Sequence, residues 1–193
     1  MKRARQIGLD GICITDHHSR AAARIIEEGP QDDGLVVLVG QEYTTDQGDF
    51  LLFGPLPELT PNMPAPQLLQ MAAQAGGVAI GAHPCRHGRS LDPELAASGL
   101  LHFIEGVNGR NLMEANHLAS GWGRDKGLGL VGGSDAHTPA EIGTVFTDFA
   151  EPVYSQKDLV RALMSGGFQA HWSTESDINL FHAARVAAAS MAG

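Results

Sequence analysis

GICITDHH, residues 11–18, decides how this chain is read: an apolar run ends without a gap in Asp16, His17 and His18. Its apolar positions are consecutive rather than alternating, the pattern of a strand covered on both faces. The layout recurs. LVVLVG (35–40) runs into Gln41-Glu42, VAIGA (78–82) into His83-Pro84, and GLVGGS (129–134) into Asp135-Ala136-His137. Where strands of a parallel α/β fold end, loops from different strands converge and build the site. Imidazole nitrogens and carboxylate oxygens gathered there are a ligand set for zinc, manganese or iron.

Working outward, further strands are predicted at 50–54, 102–105, 128–131 and 144–149, beside those at 11–15, 35–40 and 78–81. Helices fit between them. Residues 66–75 (PQLLQMAAQA) stop at Gly76-Gly77, a C-terminal signal. Ser155-Gln-Lys-Asp158 has capping-box spacing, and the helix after it carries Leu159, Val160, Leu163 and Met164 on one face before Gly166-Gly167. Weaker helical patterns cover 111–124 and 176–192. Strand–helix alternation over the whole chain predicts an α/β fold with a largely parallel sheet, open or closed into a barrel. Strands 35–40 and 50–54 are close enough to be joined by a short turn. The segment 55–66 holds five prolines and reads as an extended loop within one domain, 1–175, followed by a helical tail, 176–193.

Composition narrows the function classes. The 193 residues suffice for one domain with a real core. A net charge of −9 argues against an extensive nucleic-acid surface. Two cysteines, Cys13 and Cys85, make no disulfide framework or knuckle spacing, which fits a cytoplasmic compartment. No run approaches the roughly 18 apolar residues of a membrane span, and MKRARQIG lacks the apolar core of a secretion signal.

Taken in order, ITDHHS, GQEYTT, GAHPCR and GGSDAH resemble the PHP (polymerase and histidinol phosphatase) family of metal-dependent phosphoesterases, from about Met1 to about His171, with GTVFTDF and SGGFQAH included. The resemblance implies a distorted (βα)7 barrel with two or three divalent metal ions at the strand carboxyl ends. It implies His17, Glu42, His83, Asp135 and His137 as metal ligands, with Glu42 bridging, and Asp16 as a ligand-side or neighbouring carboxylate. Asp16, Glu42 and Asp135 would carry the catalysis. The family also opens with a strand bearing a His-x-His pair. This sequence begins after that position, and residues 1–8 read as the end of the first helix. A barrel lacking its first strand is therefore expected, with an exposed edge at which two copies could pair. Where the family often has a His after the glutamate motif, GDFLLFG offers Asp49: an oxygen ligand favouring harder ions such as manganese, or a turn residue.

The implied reaction is hydrolysis of a phosphate ester, a small phosphomonoester or a nucleotide or oligonucleotide end, by water activated between metals about 3.5–4 Å apart. Arg86 and Arg110 follow strand-end motifs and could grip phosphate through bidentate hydrogen bonds; Arg110 equally suits a solvated surface. Asn108 would orient ligand or substrate, or shape a turn. Two alternatives stand beside this reading: an amidohydrolase, which needs an opening His-x-His, and a degenerate domain that binds metal without turnover. His18, His87, His102, His117, His171 and His182 match no motif and read as structural or solvent-facing.

Overall fold

In a computed structural model the placement of residues 1–172 is described; the expected tail helix at 176–192 lies outside them. The first helix, α1 (Lys2–Gln6), leads into β1 (Gly11–Ile14), then β2 (Gly29–Pro30), β3 (Val36–Val39), β4 (Gln41–Thr45) and β5 (Gly48–Phe53). Alternation follows: α2 (Ala65–Gln74), β6 (Val78–Gly81), α3 (Pro93–Ala97), β7 (Phe103–Asn108), α4 (Met113–Lys126) and β8 (Gly129–Gly133). The described chain closes with β9 (Val145–Phe149), α5 (Gln156–Ser165) and β10 (Phe168–Trp172).

The strands form three sheets, ordered β1-β3-β2, β4-β5-β6-β7-β8 and β10-β9. This corrects two expectations. Among the described residues no closed barrel is seen, and the sheets are mixed. β1–β3, β6–β7 and β7–β8 are parallel, whereas β2–β3, β4–β5, β5–β6 and β9–β10 are antiparallel. The cause is local. Gly40 separates β3 from β4, and a Cβ there would meet the Leu52 carbonyl and the Phe53 ring. QEYTT is then a strand of its own, turned back through Asp46-Gln47 into β5 rather than joined to it by a loop. Gln47 N donates to Thr45 Oγ1 at 3.1 Å, which closes that turn.

The five-stranded sheet packs apolar side chains on both faces, as the hydrophobic runs FLLF of β5 and VAIG of β6 require. On one side Tyr43, Phe50, Leu52 and Ile104 pack with Leu68, Leu69 and Ala72 of α2 and with Leu91, Leu95 and Leu101. On the other, Val36, Leu38, Phe53, Ile80, Phe103 and Val131 pack with Leu159 and Leu163 of α5. That helix begins as its spacing predicts, with Ser155 Oγ accepting from Asp158 N at 3.2 Å. It ends at Gly166 with φ +76°, a left-handed cap that glycine adopts without steric cost. β1 corrects a further expectation: its apolar run predicts cover on both faces, but it is an edge strand whose Gly11 and Cys13 face solvent. No described helix is long and apolar enough to cross a membrane.

Candidate metal centre

The mixed topology brings the first two carboxylates together. In the β4–β5 pair Glu42 lies opposite Leu51, and Thr44 opposite Asp49. Opposed residues share a face and side chains alternate along a strand, so Glu42, Thr44 and Asp49 all project to the same side. β5 is antiparallel to β6, which sets its N-terminal end beside the carboxyl end of β6; Ala82 N donates to the Asp49 carbonyl at 2.9 Å. The next residue is His83. Its φ of +32° breaks the strand alternation, a conformation rare for a non-glycine residue and concentrated at functional sites.

The result is a buried triad. Glu42, Asp49 and His83 are 8%, 2% and 2% exposed, and one ligand atom of each lies within 4.8 Å of the others. His83 Nε2 is 3.1 Å from Glu42 Oε1 and 3.8 Å from Asp49 Oδ2. Ligand atoms about 2.0–2.2 Å from one ion sit roughly 3–3.6 Å apart, so the triad is spaced to close on a single divalent cation. Two buried carboxylates against one imidazole also need positive charge to offset their desolvation. His83 Nδ1 is buried and has no hydrogen-bond partner among the described residues. Asp49 thus belongs to the cluster and not merely to a turn.

The remaining expected ligands surround this centre without entering it. His17 Nε2 is 3.7 Å from Glu42 Oε2 on a half-exposed ring, brought there by a parallel bridge between His17 and Glu42 that prolongs β1. The Asp16 carbonyl accepts from Glu42 N at 3.0 Å. Asp135, with φ +51°, accepts instead from Arg86 Nη2 at 2.6 Å. His137 is exposed; its Nδ1 lies 2.9 Å from Arg110 Nη1, and its N–H donates to Glu141 Oε2 at 2.7 Å. Those two residues meet arginines rather than the triad.

Arg86 is fixed on three sides: Nε donates to Asn111 Oδ1 at 2.9 Å, and Nη2 to both Asn108 Oδ1 (2.9 Å) and Asp135 Oδ2. Asn108 is fully buried. Its Oδ1 also accepts from Arg110 N, while its backbone N–H donates to Asn116 Oδ1 on α4. From within, Asn108 Nδ2 donates at 2.7 Å to Glu105 Oε2, the oxygen that accepts the His83 N–H at 2.8 Å. Glu105 is 3% exposed, and burial pushes its carboxyl up to about 7 against the pull of these hydrogen bonds. Sequence reading treated Glu105 only as the end of a strand. Yet HFIE repeats the layout of the other motifs, an apolar run closing in a carboxylate, and that signal could have singled it out. Arg89, likewise unremarked, places Nη1 3.5 Å from Asp49 Oδ2.

A family model described as PHP-associated matches residues 113–167. No curated protein matches the chain. Among solved structures, PsfC from Pseudomonas syringae superposes with a TM-score of 0.72 at 18% identity, over 95% of this chain and 87% of that one. A protein from Bifidobacterium adolescentis described as a metal-dependent phosphoesterase gives 0.61 at 16% identity, over 86% and 89%. Endonuclease Q, in complex with a duplex bearing an abasic lesion, gives 0.60 at 15% identity, and there this chain spans 51% of the larger protein. Identities this low speak to architecture. The chain has a PHP-like α/β fold, with a buried Glu42–Asp49–His83 metal-binding triad at the strand ends.

Proposed function

We propose that this chain is a metal-dependent phosphoesterase, hydrolysing a small phosphomonoester or a nucleotide or oligonucleotide end. One observation carries the reading: the buried triad lies one loop away from an arginine held by three oxygens. A divalent ion, zinc, manganese or iron, would be held by Glu42, Asp49 and His83. When bound it would supply Lewis-acid stabilisation of phosphoryl charge and an acidified water. His17, already beside Glu42, would complete the same centre. Asp135 and His137 would join a second ion once released from Arg86 and Arg110. Arg86 would then turn its guanidinium fork to the phosphoryl oxygens, a geometry matched to paired oxygen acceptors. Asn108 holds Arg86 and the Arg110 backbone in place from below, and Asp16 is the remaining carboxylate for proton transfer.

The test is an assay of manganese- or zinc-loaded protein on p-nitrophenyl phosphate, small phosphomonoesters and 5′- and 3′-phosphorylated oligonucleotides. Metal-stimulated hydrolysis that disappears in His83→Ala, with circular dichroism unchanged, is the expected result. Metal bound without turnover of any ester would leave a non-catalytic metal-binding domain. Turnover of amides or lactones instead would point to an amidohydrolase.

A further inference from the structure

Beside the triad, on the Asp49 side, a cavity of about 470 Å³ is lined by Thr44, Asp46, Asp49, Gly88, Arg89 and Ser90. Its lining is polar throughout, with no aliphatic or aromatic side chain among those six. The hydroxyls of Thr44 and Ser90 make no hydrogen bond among the described residues. Among the described residues the only cationic side chain lining it is that of Arg89, half-exposed and paired with Asp49 Oδ2 at 3.5 Å.

Charge decides what this cavity can hold. One guanidinium faces two carboxylates, Asp46 and Asp49, so without metal the lining repels anions. A divalent ion on Asp49 reverses the sign. It would also compete with Arg89 for the Asp49 carboxylate, whose Oδ2 lies 3.5 Å from Arg89 Nη1 and 3.8 Å from His83 Nε2. We propose that metal loading of the Glu42–Asp49–His83 centre switches this cavity into an anion subsite, by displacing Arg89 from Asp49 and freeing its guanidinium, with Thr44 and Ser90 as hydroxyl donors. The subsite takes a phosphate- or sulfate-like group, such as a second anionic group of an ester substrate. Linkage makes the effect reciprocal: an anion held by Arg89 tightens the metal by the same factor that the metal tightens the anion. The inference rests on the metal reading above, and adds to it a residue outside the ligand set.

The experiment is calorimetric titration of Mn²⁺ into metal-free protein, with sodium sulfate or with chloride at matched ionic strength. In the wild type, sulfate should lower the Kd for Mn²⁺. In Arg89→Gln, Mn²⁺ should bind about two- to fivefold more tightly in chloride, the scale of a half-exposed ion pair, and sulfate should no longer matter. Arg89→Lys, which keeps the charge, should stay near the wild type. An Arg89→Gln protein with wild-type Mn²⁺ affinity and wild-type sulfate dependence overturns the switch and leaves the metal centre standing. A wild type that binds no Mn²⁺ removes the metal centre and the switch together.

Discussion

Glu105 holds His83 by its backbone and leaves the ring to the site: the His83 N–H donates to Glu105 Oε2 at 2.8 Å, while Nε2 faces Glu42 at 3.1 Å. The same Glu105 oxygen takes Asn108 Nδ2 at 2.7 Å. One carboxylate on β7 therefore ties the left-handed turn of His83 to the asparagine that positions Arg86.

Burial raises the Glu105 carboxyl from its ordinary 4.5 to about 7, against hydrogen bonds from Asn108 and His83. The folded protein holds this proton more tightly than the unfolded chain does. Its contribution to stability is full below about pH 4.5 and is lost as pH rises to about 7, up to about 3 kcal/mol in all. Urea unfolding of metal-free protein at about pH 5 and about pH 8 should show the loss, reduced in Glu105→Gln. An equal pH dependence in the variant would contradict it.

Gly133 gives this carboxylate its space. A Cβ at Gly133 would strike Glu105 Oε1, and Glu105 cannot swing away without releasing His83 and Asn108. Gly133→Ala should cost about 1–3 kcal/mol, as overpacking does, and should weaken metal binding although it touches no ligand. Gly121→Ala is the control: on α4 a Cβ there meets nothing within 4 Å, so stability should hold or rise slightly. Thermal unfolding with and without Mn²⁺ reads both effects.

Asp49→Asn separates ligand from turn residue. The amide keeps the shape of the β4–β5 hairpin and removes the charge, so Mn²⁺ affinity should fall at least about tenfold with little change in metal-free stability. Calorimetry measures the first and urea unfolding the second. Unchanged affinity with a lowered midpoint would return Asp49 to a purely structural role.

The sequence made strand ends legible because a strand covered on both faces is continuously apolar, as VAIG at 78–81 is; GICI at 11–14 stands out by the same apolar run although one of its faces is open to solvent. Strand direction was not legible. QEYTT alternates too briefly to announce a strand, and only the Asp46-Gln47-Gly48 turn betrays the hairpin that sets Asp49 against His83. FQAHW, after the glycines that stop α5, returns as β10 against β9, a pairing set by tertiary contact rather than local pattern. The ligand types were readable one motif at a time. That Asp135 would meet Arg86, 49 positions away, depends on the paths of β6 to β8 together.

Arg86 supplies the last prediction. Its three acceptors, Asn111 Oδ1, Asn108 Oδ1 and Asp135 Oδ2, are reached by a planar fork from two nitrogens, a pattern that the single ammonium of lysine cannot reproduce. Arg86→Lys should therefore cost about 1–2 kcal/mol of stability. Asn111→Ala should cost less, and the double variant less than the sum, because both remove the Nε contact. Mn²⁺ affinity at the triad should stay near the wild type, since Arg86 meets it only through its backbone N–H, which donates to the His83 carbonyl at 2.9 Å and is kept in lysine, whereas KM for a phosphate ester should rise. Urea unfolding, calorimetry and steady-state kinetics on the same three variants test this. A fall in Mn²⁺ affinity with KM unchanged would place Arg86 in support of the metal centre and not in contact with substrate.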